Sequence, residues 1–135
     1  KTRMDAHEAA GLRIANWLSE RPEVSQVLHP ALEQHPDHVI WKRDFSGANG
    51  LFSVILNAVS PEGLKRFFDA LELFSMGFSW GGFESLIIPC DPQLKRSKGH
   101  WIDQKVGPLL RIHVGLETVD DLIADLRAGF EAMGE

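Results

Sequence analysis

The sequence predicts a single α+β domain whose largely antiparallel sheet carries its helices packed on one face. Three segments repeat apolar residues every three or four positions, which is the spacing of amphipathic helices. Between these segments lie short apolar runs bounded by turn residues, which is typical of strands. Helices that cover one face of such a sheet would bury their apolar stripes. A chain of 135 residues, 44% of them hydrophobic, can bury one core.

The first predicted helix covers residues 2–20. Pro22 ends it, because proline cannot continue a helix. Residues 24–28 then form a predicted strand that stops at His29-Pro30. The apolar face of the helix consists of Ala6, Ala10, Ile14, Trp17 and Leu18.

The central part of the chain predicts a loop, a turn, a strand and a helix. Residues 35–44 mix prolines, histidines and charges, and we expect a loop there with a short helix around residues 39–42. Glycine and asparagine in residues 46–50 indicate a turn, and residues 51–59 follow as an apolar strand. Ser60-Pro61-Glu62 has the form of a helix start. The helix from Pro61 to about Glu72 has an apolar side made of Leu64, Phe67, Phe68 and Leu71.

The last part predicts three strands, a loop and a helix. Residues 73–78 and 84–88 are strands on either side of a glycine pair, and the polar residues 91–105 predict a mobile loop. Residues 109–114 are a strand. Thr118 is expected to cap the last helix, which has acidic residues in its first turn. Its apolar stripe consists of Leu122, Ile123, Leu126 and Phe130.

Composition excludes some classes of function. A net charge of -5 and a pI near 5.6 argue against nucleic acid as a partner, because nucleic-acid binders usually carry a basic face. No signal peptide or membrane-spanning apolar run is evident, and Cys90 is the single cysteine, so we expect a cytoplasmic chain that does not contact a membrane. Because the helical pattern begins at Lys1 without an initiator methionine, we expect a fragment.

Arg111 is the first candidate for a binding residue. Side chains alternate along a strand, so Leu109, Arg111 and His113 share one face of residues 109–114. A planar guanidinium matches a carboxylate bidentately, which favours binding of an anionic substrate group. An arginine on a solvent-facing or edge strand fits the same pattern equally well.

The segment from Ser79 to Ser85 is the second candidate. Its two glycines allow the backbone to approach a ligand closely, and the Ser79 hydroxyl can donate a hydrogen bond. Trp80 supplies a large aromatic surface beside it. An ordinary bulge or hairpin with Trp80 in the core is the competing interpretation.

Three other features predict no chemistry. His35 and His38 have the spacing of a weak metal motif without further ligands nearby, and we expect them to be structural or exposed. Cys90 lacks a partner histidine and is expected to be an inert thiol. The basic residues 95–98 predict a solvated surface.

Four motifs nevertheless resemble the C-terminal domain of the cystathionine β-lyases, a group of fold-type I enzymes that depend on pyridoxal 5'-phosphate. The resemblance covers essentially the whole chain. Trp80, where the wider family has an aliphatic residue before its two glycines, is typical of the bacterial β-lyase branch. The motifs are Trp41-Lys42-Arg43-Asp44-Phe45-Ser46-Gly47, Gly50-Leu51-Phe52-Ser53, Phe78-Ser79-Trp80-Gly81-Gly82-Phe83-Glu84-Ser85-Leu86 and Leu110-Arg111-Ile112-His113-Val114-Gly115-Leu116-Glu117.

The resemblance implies a substrate site. It assigns Arg111 and Ser79 to the α-carboxylate of L-cystathionine or a related thioether, with Trp80 lining the same pocket. The implied reaction is α,β-elimination to homocysteine, pyruvate and ammonia, a step in methionine biosynthesis. Phe78 departs from relatives that often have tyrosine there, which leaves fine substrate preference in doubt.

The resemblance also implies what residues 1–135 lack. The cofactor and its Schiff-base lysine would belong to a large domain outside this chain, which alone should be inactive, whereas the intact enzyme should be a homotetramer. Sister activities (cystathionine γ-lyase, γ-synthase, methionine γ-lyase) and a non-catalytic carboxylate-binding module are the alternatives. None of the lysines sits in the Schiff-base motif; they are Lys1, Lys42, Lys65, Lys95, Lys98 and Lys105.

Overall fold

A five-stranded sheet organises the chain, of which the computed structural model describes residues 1–95 and 102–134. The strands lie in the order β1-β2-β5-β4-β3, and every neighbouring pair is antiparallel except β3 and β4. This arrangement confirms the predicted α+β class. The strands are β1 (Val24–Leu28), β2 (Leu51–Leu56), β3 (Ser75–Met76), β4 (Leu86–Pro89) and β5 (Leu109–His113).

Helices pack against one face of this sheet, as predicted. Leu110 and Ile112 of β5 share a core with Leu18, Phe67 and Leu126, which come from three different helices. The remaining helix, α2 (His38–Asp44), buries none of its residues. The helices are α1 (Thr2–Ser19), α2 (His38–Asp44), α3 (Pro61–Asp69) and α4 (Val119–Met133).

Two details of the predicted helices are wrong. Ala6 is exposed, and His7 takes its place on the buried side of α1. Thr118 stands at the start of α4, but its side chain makes no capping hydrogen bond. By contrast, the Ser60 hydroxyl accepts a hydrogen bond from the Gly63 amide at 3.0 Å and caps α3 as predicted.

The predicted strand at residues 73–78 is reduced to Ser75–Met76, because charged side chains take its hydrogen bonds. On one side, the Asp125 carboxylate accepts the amides of residues 72, 73 and 74 at 2.7, 3.1 and 2.9 Å. On the other, the Arg111 guanidinium donates to the carbonyls of residues 77–79. Backbone groups held in this way cannot also join a ladder.

Other element boundaries also differ from the prediction. Strand β2 ends at Leu56 instead of residue 59. Strand β4 begins at Leu86 because Glu117 accepts the Ser85 amide at 2.8 Å. Helix α3 ends at Asp69, three residues before the predicted end.

The predicted loop at residues 91–105 is described only in part. Asp91–Gln93 form a short 3-10 helix, and the Asp91 carboxylate accepts the Leu109 amide at 2.8 Å. Lys105 forms an ion pair with Asp91. Arg96, Ser97 and Lys98 lie outside the described residues.

No helix within residues 1–95 and 102–134 is long and apolar enough to cross a bilayer.

Besides His7, two histidines are buried among the described residues. His29 is 3% exposed and His113 is 2% exposed. Burial lowers the pKa of both imidazoles from their ordinary value near 6.5, because the charged form loses its hydration. Both side chains are therefore neutral in the folded chain near pH 7.

The Asp125 carboxylate should be important for stability. In Asp125→Asn, a single oxygen must serve three amides and the new NH2 group cannot accept, so we expect a loss of about 1–3 kcal/mol in the free energy of unfolding. Urea unfolding followed by circular dichroism measures it. Glu131→Gln, on the exposed side of the same helix, is the control and should change stability by less than about 0.5 kcal/mol. Equal losses in the two variants would contradict this role.

Stability should also depend on pH through the buried histidines. Below about pH 6.5 the unfolded chain binds protons at His29 and His113 that the folded chain still refuses, so stability falls as pH is lowered from 7.5 to 5.5. Each histidine adds a slope of at most about 1.4 kcal/mol per pH unit. Urea midpoints at several pH values should show a shallower slope in the double variant His29→Gln, His113→Gln. An unchanged slope would show that these histidines do not carry the effect.

Candidate functional site

Arg111 lies in the middle of β5, the central strand of the sheet. Its partners in register are Ser53 on β2 and Ile88 on β4. Because Leu110 and Ile112 face the helices, the alternation of side chains places Arg111 on the opposite face. A charged group thus stands among apolar strands, and its hydrogen bonds decide what this face can bind.

The guanidinium group of Arg111 holds the backbone of the neighbouring loop. Its Nη2 atom donates to the carbonyl oxygens of Gly77, Phe78 and Ser79, at 3.2, 2.8 and 3.4 Å. The Nε atom is buried and has no hydrogen-bond partner among the described residues. This N–H donor is therefore unsatisfied in the folded chain.

A cleft of about 360 Å³ lies beside Arg111. Clefts of this size suit small organic molecules, and apolar walls with a few charged groups fix the orientation of a ligand. A molecule with a carboxylate and an apolar chain fits this description. The lining residues are Phe78, Ile88, Cys90, Gln93, Leu94, Lys95, Leu109 and Arg111.

Ser79 and Trp80 lie near Arg111 but do not line that cleft. Ser79 contacts the guanidinium through its backbone carbonyl, and the Trp80 side chain is 63% exposed. The competing interpretation, in which Trp80 belongs to the core, is therefore wrong. Phe78 and Phe83 are also exposed, at 69% and 68%, so the loop presents aromatic rings to its surroundings.

Two glycines shape this loop. Gly81 has a φ of 84°, a backbone conformation that other residues rarely adopt. At Gly115, just after β5, an added Cβ would stand 2.1 Å from the Phe83 carbonyl oxygen. The first glycine permits the turn, and the second permits the close approach of the loop to the sheet.

His113 and Glu117 contact the segment from Ser79 to Ser85, and the sequence interpretation did not single them out. The His113 ring contacts the loop backbone at Gly81 and Gly82. Glu117 accepts hydrogen bonds from the Ser85 amide and hydroxyl, both at 2.8 Å. The only available signal was the strand alternation, which places His113 on the same face as Arg111.

Cys90 lines the same cleft, and its thiol is a weak nucleophile. Burial raises the pKa of this thiol, although the nearby charge of Arg111 acts in the opposite direction. A raised pKa reduces the thiolate fraction at neutral pH. We therefore interpret Cys90 as a residue that lines the cleft and not as a nucleophile.

The histidine pair at residues 35 and 38 is engaged with the backbone. The His35 Nδ1 atom accepts the Asp37 amide at 3.1 Å, and the His38 Nδ1 atom lies 3.0 Å from the Pro30 carbonyl. In the described ranges, no group of three histidine, cysteine, aspartate or glutamate side chains could hold a metal ion.

The groups around Arg111 fit a carboxylate better than they fit the pyridoxal phosphate that the resemblance implies. A Schiff-base lysine is activated by burial or by a neighbouring cation. Lys95 at the cleft is exposed, and Lys105 is paired with Asp91. Neither lysine thus has the environment that activates a Schiff-base lysine.

The sequence of the chain is similar to those of several named proteins. The chain is 48% identical over 130 residues to a cystathionine beta-lyase of Salmonella typhimurium, which is 95% of this chain and 33% of that protein. It is 48% identical over 132 residues to the cystathionine beta-lyase MetC of Escherichia coli, again 95% and 33%. The L-alanine/L-glutamate racemase of Wolbachia pipientis wMel is 41% identical over 128 residues, 94% and 32%. The chain therefore spans about a third of the length of these relatives.

The family model for Cys/Met metabolism PLP-dependent enzymes, where PLP is pyridoxal phosphate, matches residues 1–131. This match covers nearly the whole chain and agrees with the lyases among its relatives. The chain belongs to the Cys/Met metabolism family of PLP-dependent enzymes.

Proposed function

We propose that residues 1–135 are the C-terminal substrate-binding domain of a carbon–sulfur lyase, and that Arg111 binds the α-carboxylate of L-cystathionine. The observation that carries this proposal is the buried, unpartnered Nε of Arg111 beside an apolar cleft. A buried donor without a partner costs about 1–3 kcal/mol. A carboxylate at this edge would remove that cost and form a charge-assisted hydrogen bond.

The carboxylate would compete with the loop for the same guanidinium. Nη2 has two protons and already serves three carbonyl oxygens. The contact to Ser79, at 3.4 Å, is the longest and is the first that an incoming carboxylate would replace. In this proposal the exchange brings substrate next to Ser79, whose hydroxyl then donates a second hydrogen bond.

Trp80 and its aromatic neighbours would close the pocket together with the rest of the polypeptide. Phe78, Trp80 and Phe83 are each more than 60% exposed. Exposed apolar groups this close together are typical of surfaces that another part of a protein covers. A large domain of the same polypeptide is the proposed partner, and it would also hold the pyridoxal phosphate.

The contribution of this chain to the reaction would be orientation. A substrate held by its α-carboxylate has its Cα–H bond fixed in direction, and fixed geometry supplies a large part of rate enhancement. The proposed reaction is α,β-elimination to homocysteine, pyruvate and ammonia in methionine biosynthesis. The two lyases at 48% identity support this choice. A cytoplasmic homotetramer stays the expected form of the whole enzyme.

A different reaction on the same scaffold is the second candidate. The Wolbachia relative, named a racemase, is 41% identical. An amino-acid racemase also needs to bind an α-carboxylate, so the Arg111 cleft suits either activity. Pyruvate release from L-cystathionine, compared with racemisation of L-alanine, distinguishes the two.

Substitution of Arg111 should weaken the whole enzyme. In Arg111→Lys the charge stays but the planar fork is lost, so we expect kcat/KM for L-cystathionine to fall by roughly 10- to 100-fold. Pyruvate release from the full-length protein measures this. Arg127→Lys, on the exposed side of α4, is the matched control and should retain full activity. An Arg111→Lys variant as active as the control would refute the proposed carboxylate site.

The 135-residue chain alone should bind weakly and not turn over. With pyridoxal phosphate and L-cystathionine it should release no pyruvate and form no specific aldimine band in the visible spectrum. Titration with L-cystathionine should shift the Arg111 Nε resonance in a ¹⁵N NMR spectrum, whereas L-cystathionine should leave the Arg127 Nε resonance in place. Pyruvate formation that Arg111→Ala abolishes would mean that catalytic groups lie within this chain.

A further inference from the structure

His113 lies on the same face of β5 as Arg111, two residues further along the strand. Strand geometry separates the two Cα atoms by roughly 6.6 Å. Leu51 of β2 and Leu86 of β4 stand opposite His113 in register. The histidine side chain is 2% exposed, so it is a buried polar group at the base of the loop.

The imidazole makes its contacts with the backbone of the loop. The Gly81 amide lies 3.1 Å from Nε2, and the Gly82 carbonyl oxygen lies 3.2 Å from the same atom. In one neutral tautomer Nε2 accepts from Gly81, and in the other it donates to Gly82. Either tautomer retains one hydrogen bond to the turn.

The two side chains therefore fasten both ends of one segment, which we call the anchored loop (residues 77–82). Arg111 holds the carbonyls of residues 77–79, and His113 holds the backbone of residues 81 and 82. Trp80 stands between the two anchors. Every one of these contacts ends on a backbone atom of the loop.

The anchored loop has little else to hold it. The side chains of Phe78 and Trp80 are 69% and 63% exposed, and a Cβ at Gly81 would meet no atom within 4 Å. Segments with few apolar contacts open readily unless hydrogen bonds restrain them. The restraint on this loop thus comes from Arg111 and His113.

His113 is itself held firmly. Its ring packs against the His7 ring of α1, with centroids 5.4 Å apart. The His7 Nδ1 atom donates to the Val114 carbonyl at 2.8 Å, which fixes the position of that ring. His113 therefore contacts both the His7 ring and the backbone of the anchored loop.

We propose that His113 is a positioning residue of the substrate site: it keeps the Gly81-Gly82 turn in place when a substrate carboxylate displaces loop carbonyls from Arg111. This inference rests on the proposed function. Without His113, the exchange at Arg111 would release both ends of the anchored loop. Ser79 and Trp80 would then have no fixed position relative to the bound amino acid.

Kinetics of the full-length protein test this role. His113→Leu removes the hydrogen bond that either tautomer makes to the turn, and we expect KM for L-cystathionine to rise about tenfold, the effect of about one lost hydrogen bond, while kcat changes less than about threefold. His113→Gln keeps an amide that can accept and donate, so it should recover most of the lost affinity. In the ¹⁵N-labelled chain, hydrogen exchange of the Gly81 amide should accelerate in His113→Leu, whereas that of Ile112 should not.

A second variant changes the loop side of the contact between His113 and the Gly81-Gly82 turn. Gly81→Ala meets no atom within 4 Å but disfavours the φ of 84°, so it should raise KM without unfolding the core. Gly134→Ala, where the nearest atom to the added methyl group is at an ordinary 3.7 Å, is the control and should leave KM unchanged. This pair decides the question if His113→Leu does not fold.

The outcomes separate the two proposals. If KM is unchanged in His113→Leu and Gly81→Ala while Arg111→Lys loses activity, the positioning role is overturned and the carboxylate site stands. If Arg111→Lys is also fully active, the proposed function fails first. An equal rise in KM in His113→Leu and His113→Gln would likewise overturn the positioning role of His113, because the effect on KM would then not depend on hydrogen bonding.

Discussion

The positive charge of Arg111 on the central strand is the constraint on which this face of the sheet depends. A guanidinium among apolar strands must be surrounded by oxygen atoms, since an unpaired buried charge is far more costly than a lost contact. The chain satisfies it with three main-chain carbonyls of one loop. Carbonyl oxygens carry only partial charge, so a full carboxylate is a better partner. The same feature thus holds the loop in place and suits an anionic group.

Asp125 provides the opposite charge on the other side of the segment. Its carboxylate collects the amides of residues 72–74, just as Arg111 collects the carbonyls of residues 77–79. Between them only Ser75 and Met76 join the sheet. The edge strand is therefore short because of two ionised side chains, and the exposed loop begins where the ladder ends.

Local patterns in the sequence predicted most of the elements and the face on which Arg111 lies. Periodicity and turn residues depend on neighbours a few positions apart, and such features survive folding. The errors at β3 and β4 concern contacts between residues more than 30 positions apart, such as Asp125 with residue 73 and Arg111 with residue 78. His113 was overlooked for the same reason: its partners Gly81 and Gly82 come near it only in the folded sheet. The roles of Ser79, Trp80 and Arg111 in binding substrate are still predictions.

The hydrogen bonds from Arg111 and His113 reach only main-chain atoms of the anchored loop. The side chains of residues 78–80 take no part in them. A substitution at Phe78 or Trp80 therefore changes the exposed surface of the loop without removing any of the hydrogen bonds from Arg111 or His113. The side chains of this loop can therefore change in evolution while the hydrogen bonds to its main chain are kept. Such a division makes the segment a place where substitutions can change the protein surface without loosening the loop.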